Sequence, residues 1–182
     1  MGTQTGMTTD MTDTAWTTVD SPIGPLLVTA EHGAITRLWM SEQRHQASQP
    51  DPSWVRDDSV FDEVADELEA YFAGERTTFD VPLAPAGTQF QRQVWDGLRT
   101  ILYGTTCSYG ELAAQIGRAG ASRAVGLANG RNPISIIIPC HRVIGSSGTL
   151  TGYGGGLARK RWLLDLERGT SQLGGGSVGF GQ

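Results

Sequence analysis

The segment NPISIIIPCHRV, residues 132–143, restricts the fold of this chain more than any other part of the sequence. An Asn-Pro pair favours a turn, and the isoleucines that follow form a run too apolar to face water. A short β-branched run between turn signals is typical of a buried strand. We therefore expect residues 132–139 to be buried and extended, and to deliver Cys140 directly to the edge of a core.

Cys140 is the first candidate for chemistry. Only a thiolate is a strong nucleophile, and the cationic neighbours His141 and Arg142 would favour that form. A lone cysteine is more often a small buried core residue, and Cys107, with no histidine or basic residue beside it, fits that description. The two cysteines and three histidines show neither a disulfide framework nor metal-ligand spacing. We expect a reducing compartment, no structural metal and no cofactor.

Several helices are predicted in the C-terminal half. Thr88 is a candidate N-cap for the first, SYGELAAQIG (108–117) predicts the second, and GASRAVGLANG predicts a third that ends at Asn129 and Gly130, a pair suited to a left-handed C-terminus. Two short helices joined by a tight glycine-containing turn form a helix-turn-helix pattern, a weak signal alone because helical hairpins are common packing units. A last helix is expected over 157–169, after a glycine-rich loop.

The N-terminal half is expected to form a small α/β unit. Short β-rich runs separated by turn residues begin at Trp16 and predict an antiparallel hairpin or meander. The polar residues 41–58, which include two prolines, suit a loop. Ser59 and Asp62 form a capping box for a helix whose apolar face includes Tyr71.

The sequence divides into five segments. Residues 1–14 are polar and low in complexity, which predicts a disordered leader. A scaffold domain at 15–80 is joined by a linker at 81–87 to a C-terminal domain at 88–170, and residues 171–182, with five glycines, predict a flexible tail. No apolar run approaches the ~18–20 residues that span a bilayer, so we expect a cytoplasmic protein with no membrane partner.

Charge is distributed unevenly along the chain. The formal net charge is −5, but residues 1–86 hold 15 Asp/Glu against 4 Arg, whereas residues 87–182 hold 10 Lys/Arg against 4 Asp/Glu. Between Glu111 and Asp165 lie seven basic residues and no acidic one. Such a concentration suits a polyanionic partner, although a charge run by itself is more often only a solvated surface.

Several segments together resemble the O6-alkylguanine-DNA alkyltransferases, a family of single-use DNA repair proteins. The resemblance rests on FQRQVWDGLRTI, YGTTCSYGELA and SRAVGLANGRNPISIIIPCHRVIGSSGTLTGYGGGLARKRWLL, and PCHRV is a highly specific signature. The sequence departs from the family at Leu102, where Pro is usual, and at Gly154, a change expected to alter how roomy the alkyl pocket is. The implied fold is α/β plus α: a ribonuclease-H-like three-stranded antiparallel sheet with a helix, then a winged-helix-like helix-turn-helix domain.

The resemblance also implies roles for individual residues. Cys140 would accept the alkyl group irreversibly, once per molecule, and Tyr153 would donate a hydrogen bond to guanine O6. His141 and Glu167 would form, through a water, the relay that draws the proton from the thiol. Substrate positioning would come from four further residues: Tyr109 at guanine N3, Asn132 holding the turn before the cysteine, the backbone of Val143 at the guanine amino group, and Lys160 lining the pocket.

The third predicted helix resembles the family's recognition helix, which lies in the minor groove of double-stranded DNA. Arg123 would fill the base stack after the O6-alkylguanine nucleotide is rotated out, a step that a buried cysteine makes necessary. Small side chains would let the helix backbone approach the groove. The expected DNA-contacting residues are Ser122, Arg123, Ala124, Gly126, Ala128 and Arg142. Contacts of this kind predict sequence-independent binding. We also expect a monomer that can cluster on DNA.

Three other functions remain open from the sequence. A non-catalytic binder of alkylated bases would lack the cysteine that stands at position 140 here. A hydrolase or acyl transferase using Cys140 and His141 would turn over repeatedly and would need neither Arg123 nor a basic face. A regulator that senses alkylation would need a further partner-binding domain, which the short terminal segments do not resemble.

Overall fold

The computed structural model describes residues 14–46 and 49–170, so the predicted tail and all but the last residue of the predicted leader lie outside the described residues. Within those ranges, the strands and α-helices follow one another in this order: β1 (Ala15–Val19), β2 (Leu26–Glu31), β3 (Ala34–Met40), β4 (Val55–Arg56), α1 (Asp62–Phe72), α2 (Gln89–Leu98), β5 (Cys107–Ser108), α3 (Tyr109–Gln115), α4 (Ser122–Gly130), β6 (Val143–Ile144) and α5 (Leu157–Glu167). None of these helices is long and apolar enough to cross a bilayer.

The N-terminal half contains the expected three-stranded antiparallel sheet with a helix. Strands β1, β2 and β3 pair as a meander, with Ala15 opposite Ala30 and Leu26 opposite Met40. A fourth strand, β4, pairs in parallel with β1, giving the order β3-β2-β1-β4. The prediction of a loop over 41–58 was therefore wrong at Val55 and Arg56, because two residues are too few to produce a periodic pattern.

The outer edge of β3 is where the two halves of the chain join. The Ile35 N–H donates to the Pro82 carbonyl at 2.8 Å, so the predicted linker runs along the sheet. Further along β3, the Leu38 N–H donates to the Pro133 carbonyl at 2.9 Å and the Ser135 N–H donates to Leu38 at 2.8 Å. The sheet thus fixes the segment that leads into the cysteine.

The isoleucine run is buried as expected, but it is not extended. Ile136 has a φ of 71°, and the Ile138 N–H donates to the Ile134 carbonyl at 3.0 Å, which closes the segment into turns. The Asn132 side chain spans the loop: its Oδ1 accepts from the Ile134 N–H at 3.0 Å and its Nδ2 donates to the Ile138 carbonyl at 2.8 Å. Asn132 can replace strand pairing here because an amide side chain both donates and accepts.

Helix ends follow the local signals in the C-terminal half more closely than in the N-terminal half. Thr88 caps α2 in a complete capping box with Gln91. The capping box predicted for Ser59 is wrong: Asp57 caps a 3₁₀ turn over Asp58–Phe61, and α1 starts after it without a side-chain cap. The left-handed end predicted at Gly130 is also wrong, because α4 includes Gly130 and its C-cap, Arg131, has a φ of −100°.

Helices α3 and α4 form the predicted helix-turn-helix, α2 packs against both of them, and α5 packs against the turn that contains Cys140. The hydrophobic core is continuous across both halves, since Leu38 and Tyr71 belong to the same buried cluster as Val125 and Leu163. At Leu102 the turn forms without the usual proline, because the Leu102 carbonyl accepts the Thr105 N–H at 3.1 Å. A single continuous core holds the cysteine segment rigidly between the sheet and the helices.

Candidate active site

Cys140 lies in a 3₁₀ turn, Cys140–Arg142, between the isoleucine loop and β6. It is buried, and its carbonyl accepts from Asn129 Nδ2 at 3.4 Å. Burial raises the pKa of the Cys140 thiol, although a hydrogen bond from Asn132 and the charge of Lys160 oppose that rise. The His141 backbone also lowers this pKa, but burial outweighs it, so the resting side chain is a thiol that needs a base.

His141 follows Cys140 in the same 3₁₀ turn. Its ring is fully buried, and its Nε2 lies 2.7 Å from Glu167 Oε1. Burial lowers the pKa of His141, so the imidazole is neutral near pH 7. Because an ionised carboxylate has no proton to donate, Nε2 carries the proton and Nδ1 presents a lone pair. Among the residues described, no group hydrogen-bonds to that Nδ1.

Glu167 is the centre of a buried hydrogen-bond network. Its carboxylate accepts from Arg142 Nε at 2.8 Å and Nη2 at 2.9 Å, from the Gly104 N–H at 3.2 Å, and from the Tyr71 hydroxyl at 2.7 Å, besides its contact with His141. Burial alone would raise the pKa of Glu167, but the hydrogen bonds from His141 and Arg142 and the positive charge of Arg142 hold it well below its usual range. Glu167 is therefore an anion fixed in one orientation.

Arg142 does not occupy the DNA-contacting position that the sequence predicted. Its side chain is buried, pairs with Glu167 and donates from Nη1 to the Ile101 carbonyl at 2.6 Å. Burying a guanidinium is tolerated only when its donors and its charge are satisfied, and Glu167 satisfies both. Arg142 belongs to the internal network, and its side chain also lines a cavity of about 190 Å³ together with Tyr103 and Pro139.

Lys160 is buried beneath the glycine-rich loop. Its ammonium donates to the Val143 carbonyl at 2.6 Å and to the Thr151 carbonyl at 2.9 Å. Burial lowers the pKa of Lys160 to about 8. The side chain thus ties the strand after the cysteine to the loop that carries Tyr153. It uses one of the two lone pairs of the Val143 carbonyl, and Val143 is the residue whose backbone the resemblance assigns to the guanine amino group.

Two tyrosines border the cysteine region. Tyr153 is 8% exposed, and within residues 14–46 and 49–170 its hydroxyl has no hydrogen-bond partner. Burial raises the pKa of Tyr153 well above its usual value, so it remains a donor. Tyr109 is the first residue of α3, and a Cβ added at Gly126 would lie 3.6 Å from its ring. The α4 backbone at Gly126 therefore lies near the Tyr109 ring, at a distance where a Cβ would still make an ordinary contact.

The loop that carries Tyr153 borders a cavity of about 460 Å³. Glu42 and Arg44 of the N-terminal half line it together with residues 152–157. Tyr153 is the one proposed active-site residue among the described residues that line it, and Cys140 and Tyr109 are not among them. A Cβ at Gly154 would lie 3.2 Å from Gln43 Cγ, so the missing side chain at 154 makes room for Gln43, and its predicted effect on the alkyl pocket stays a prediction.

The exposed face of helix α4 combines polar, charged and apolar side chains. Ser122, Arg123 and Ala124 are exposed at its N-terminal end. Leu127, one turn further on, is 71% exposed, and the sequence predicted no role for it. Ala128 is buried, and its carbonyl accepts from Trp95 Nε1 at 2.9 Å, so its predicted DNA contact is wrong. With a period of 3.6 residues, Ala128 falls on the core side of the helix.

The basic segment contributes less positive surface than its sequence implies. Arg142, Arg159 and Lys160 are buried. Arg159 Nε donates to the Ile23 carbonyl at 2.9 Å and holds the first loop of the sheet against α5. The four other basic residues between Glu111 and Asp165 are exposed: Arg118, Arg123, Arg131 and Arg161. Three of them lie on or next to α4, so the exposed charge is concentrated where the apolar Leu127 is also exposed.

Both halves of the chain match known protein families. Residues 89–169 match the family described as 6-O-methylguanine DNA methyltransferase, DNA binding domain, and residues 14–85 match its ribonuclease-like domain. The methylated-DNA–protein-cysteine methyltransferase of Mycobacterium tuberculosis is 58% identical over 151 residues, which cover 83% of this chain and 90% of that protein. The protein of the same name from Methanosarcina acetivorans is 53% identical over 148 residues, or 81% and 94% of the two chains.

The structure is also similar to solved structures of proteins from this family. The crystal structure of Mycobacterium tuberculosis OGT in complex with DNA superposes with a TM-score of 0.81 at 56% identity, covering 87% of this chain and 96% of that chain. An O6-methylguanine DNA methyltransferase from Methanococcus jannaschii superposes with a TM-score of 0.58 at 26% identity, covering 87% and 94%. The similarity thus extends over both halves of the chain.

Proposed function

The chain belongs to the 6-O-methylguanine DNA methyltransferase family, and from that premise we propose how its own residues carry out the reaction. It is a methylated-DNA–protein-cysteine methyltransferase, a DNA-binding protein that repairs DNA by direct reversal. Its substrate is O6-alkylguanine in double-stranded DNA, and Cys140 accepts the alkyl group. The observation that carries this assignment is a buried thiol next to a neutral histidine that is oriented by a buried carboxylate.

The transfer is a direct displacement at the alkyl carbon. The Sγ–C bond forms while the C–O6 bond breaks, and the bonding electron pair stays on guanine O6. The proton of Cys140 passes through a water to His141 Nδ1, and overall one proton moves from the thiol to the repaired guanine. His141 can accept it because Glu167 stabilises the imidazolium that forms.

Tyr153 stabilises the leaving group. Charge develops on guanine O6 as the bond to carbon breaks, and a buried hydrogen-bond donor is most effective against such charge. Tyr153 is supported in this role because its hydroxyl is buried, protonated and without a partner among the described residues. Tyr109 contacts the guanine ring at N3, and the Val143 backbone contacts the amino group. Lys160 supports the pocket from beneath by holding the Val143 and Thr151 carbonyls.

DNA is bound through the exposed face of α4. A lesion inside a stacked duplex cannot reach a buried cysteine, so the nucleotide has to be rotated out of the helix. Arg123 fills the stack, and Ser122, Ala124 and Gly126 let the helix backbone approach the minor groove. Exposed arginines next to this face supply attraction to phosphate. The protein acts in the cytoplasm as a monomer that can cluster on DNA, with the domain division 15–80, 81–87 and 88–170.

A lesion-removal assay tests this function. The protein is mixed with a duplex that carries one O6-methylguanine, and the remaining lesion is quantified by chromatography of the hydrolysed DNA. We expect one lesion removed per protein molecule and no further turnover, because water does not hydrolyse the thioether and the thiol is not regenerated. Repeated turnover would instead indicate a hydrolase, and lesion-bearing DNA bound without repair would indicate a non-catalytic binder.

Arg123→Ala separates extrusion from chemistry. This variant should lose most of its activity on the duplex but react with free O6-methylguanine base as fast as the wild-type protein, because a free base needs no extrusion. Arg56→Ala, which removes the same charge from β4 of the N-terminal sheet, is the matched control. An equal loss on duplex and free base would contradict the role of Arg123.

A further inference from the structure

Tyr71 connects the N-terminal half to the catalytic relay. Its hydroxyl donates to Glu167 Oε1 at 2.7 Å, the oxygen that also lies 2.7 Å from His141 Nε2. Both Tyr71 and Glu167 are buried. In the described part of the chain, the other donors to this carboxylate are Gly104, His141 and Arg142, all from the C-terminal half. Helix α1 thus supplies one hydrogen bond to a site otherwise built by the second half.

The Tyr71 ring is held so that its hydroxyl has little freedom. It packs edge-on against Phe72 and Tyr103, with ring centroids 5.3 Å and 6.0 Å away, and tilted against Phe79 at 5.3 Å. Burial raises the pKa of Tyr71 well above its usual value, so the hydroxyl stays protonated and can only donate to the carboxylate. A rigid donor at a fixed distance restricts the rotation of its acceptor.

We infer, on the basis of the proposed function, that Tyr71 is a positioning residue for alkyl transfer. Its hydroxyl fixes the Glu167 carboxylate so that Oε1 faces His141 Nε2, which leaves Nδ1 as the acceptor for the proton of Cys140. The same hydrogen bond stabilises the negative charge of Glu167 and makes this carboxylate a weaker partner for an imidazolium. The N-terminal half therefore contributes to both the orientation and the basicity of the relay.

Loss of the Tyr71 hydroxyl should raise the pKa of His141. Without it, the negative charge of Glu167 is compensated less and stabilises the protonated form of His141 more strongly. The acid limb of the pH–rate profile, where His141 becomes protonated, should then move to higher pH. Replacing Tyr71 by Phe leaves the other ionisable groups that face the relay in place: Arg142, Lys160, Cys140, Tyr103 and Tyr153. A shift of the profile therefore reports on the missing hydroxyl.

The test compares Tyr71→Phe with Tyr103→Phe. Both variants lose one hydroxyl from the same aromatic cluster and keep the ring, but among the described contacts only the Tyr71 hydroxyl donates to Glu167. The rate of transfer from a duplex with one O6-methylguanine is measured in single-turnover conditions across pH, with protein in excess. Duplex affinity and Tm are measured for both variants and for the wild-type protein.

For Tyr71→Phe we expect a rate roughly tenfold lower near pH 7, the size of one hydrogen bond to a charged group. We also expect an acid limb at higher pH and unchanged duplex affinity, whereas Tyr103→Phe follows the wild-type profile. An unchanged rate, or an equal loss at every pH with a lower Tm, would overturn the positioning role. If the wild-type protein itself leaves the lesion intact, the proposed function is wrong. If only the Tyr71→Phe result differs from the expectation, the positioning role alone is wrong.

Discussion

Replacing Glu167 by Gln should destabilise the protein more than the loss of one surface carboxylate. The amide keeps the shape of the side chain but carries no charge, and one of its two acceptor atoms becomes a donor. Arg142 would then remain buried without a counter-charge, and some of the donors that now reach the carboxylate would face an N–H₂ group. Both effects raise the free energy of the folded state only, because water hydrates these groups in the unfolded chain.

The magnitude follows from the burial of the pair. Removing one partner of a buried ion pair costs about 3–5 kcal/mol. For a chain of this size, each kcal/mol lowers Tm by about 2–4 °C, so the expected fall in Tm is roughly 6–20 °C. Glu69→Gln, on the exposed side of α1, is the control and should change the free energy of unfolding by less than about 0.5 kcal/mol.

The pH dependence adds a second test. The pKa of Glu167 is held well below its usual range in the folded state. Its stabilising effect is therefore complete above the unfolded carboxyl pKa, about 4.3, and is lost as pH falls further toward the folded pKa. Urea unfolding of the wild-type protein should show this loss in acid, and the corresponding contribution should be missing in Glu167→Gln. A variant that melts within a degree of the wild-type protein at pH 7 would refute this account of the network.

Two further predictions concern the alkylated protein and the DNA-binding face. A methyl group on the buried Cys140 overfills a packed site, so the methylated protein should be less stable by about 1–3 kcal/mol, and equal Tm values by calorimetry would contradict this. Leu127→Ala should weaken duplex binding by roughly 1 kcal/mol, about fivefold in Kd, without changing the salt dependence, because an apolar contact releases no counterions. Leu102→Ala, at a side chain 73% exposed, is the matched control; an equal effect in both variants would count against a contact by Leu127.

The sequence predicts those parts of the site that depend on local signals. The N-cap at Thr88 and the helix-turn-helix were foreseeable because capping residues, glycines and apolar spacing act within a few residues of each other. The cysteine segment was recognisable because PCHRV is compact and specific. Burial of the isoleucines was also foreseeable, since no other environment suits such a run.

What the sequence did not predict depends on contacts between distant residues. Arg142 was interpreted as a surface cation because its pairing with Glu167, 25 positions away, leaves no local trace. Tyr71 was assigned only to an apolar helix face, since its periodicity reports burial but not the partner of its hydroxyl. The turns between Ile134 and Ile138 depend on the side chain of Asn132, which overrides the β propensity of the isoleucines.

The identity of the alkyl acceptor is the central claim, and peptide mass spectrometry tests it most directly. The protein and its Cys140→Ala variant are each mixed with a duplex that carries one O6-methylguanine, and the peptides that contain the two cysteines are compared. Burial raises the pKa of Cys107 to about 11, and no base adjoins it in sequence, so it serves as an internal control. We predict a stoichiometric gain of one methylene on the Cys140 peptide, none on the Cys107 peptide, and none in the variant. Methylation at Cys107, or an intact lesion on bound DNA, would contradict the account.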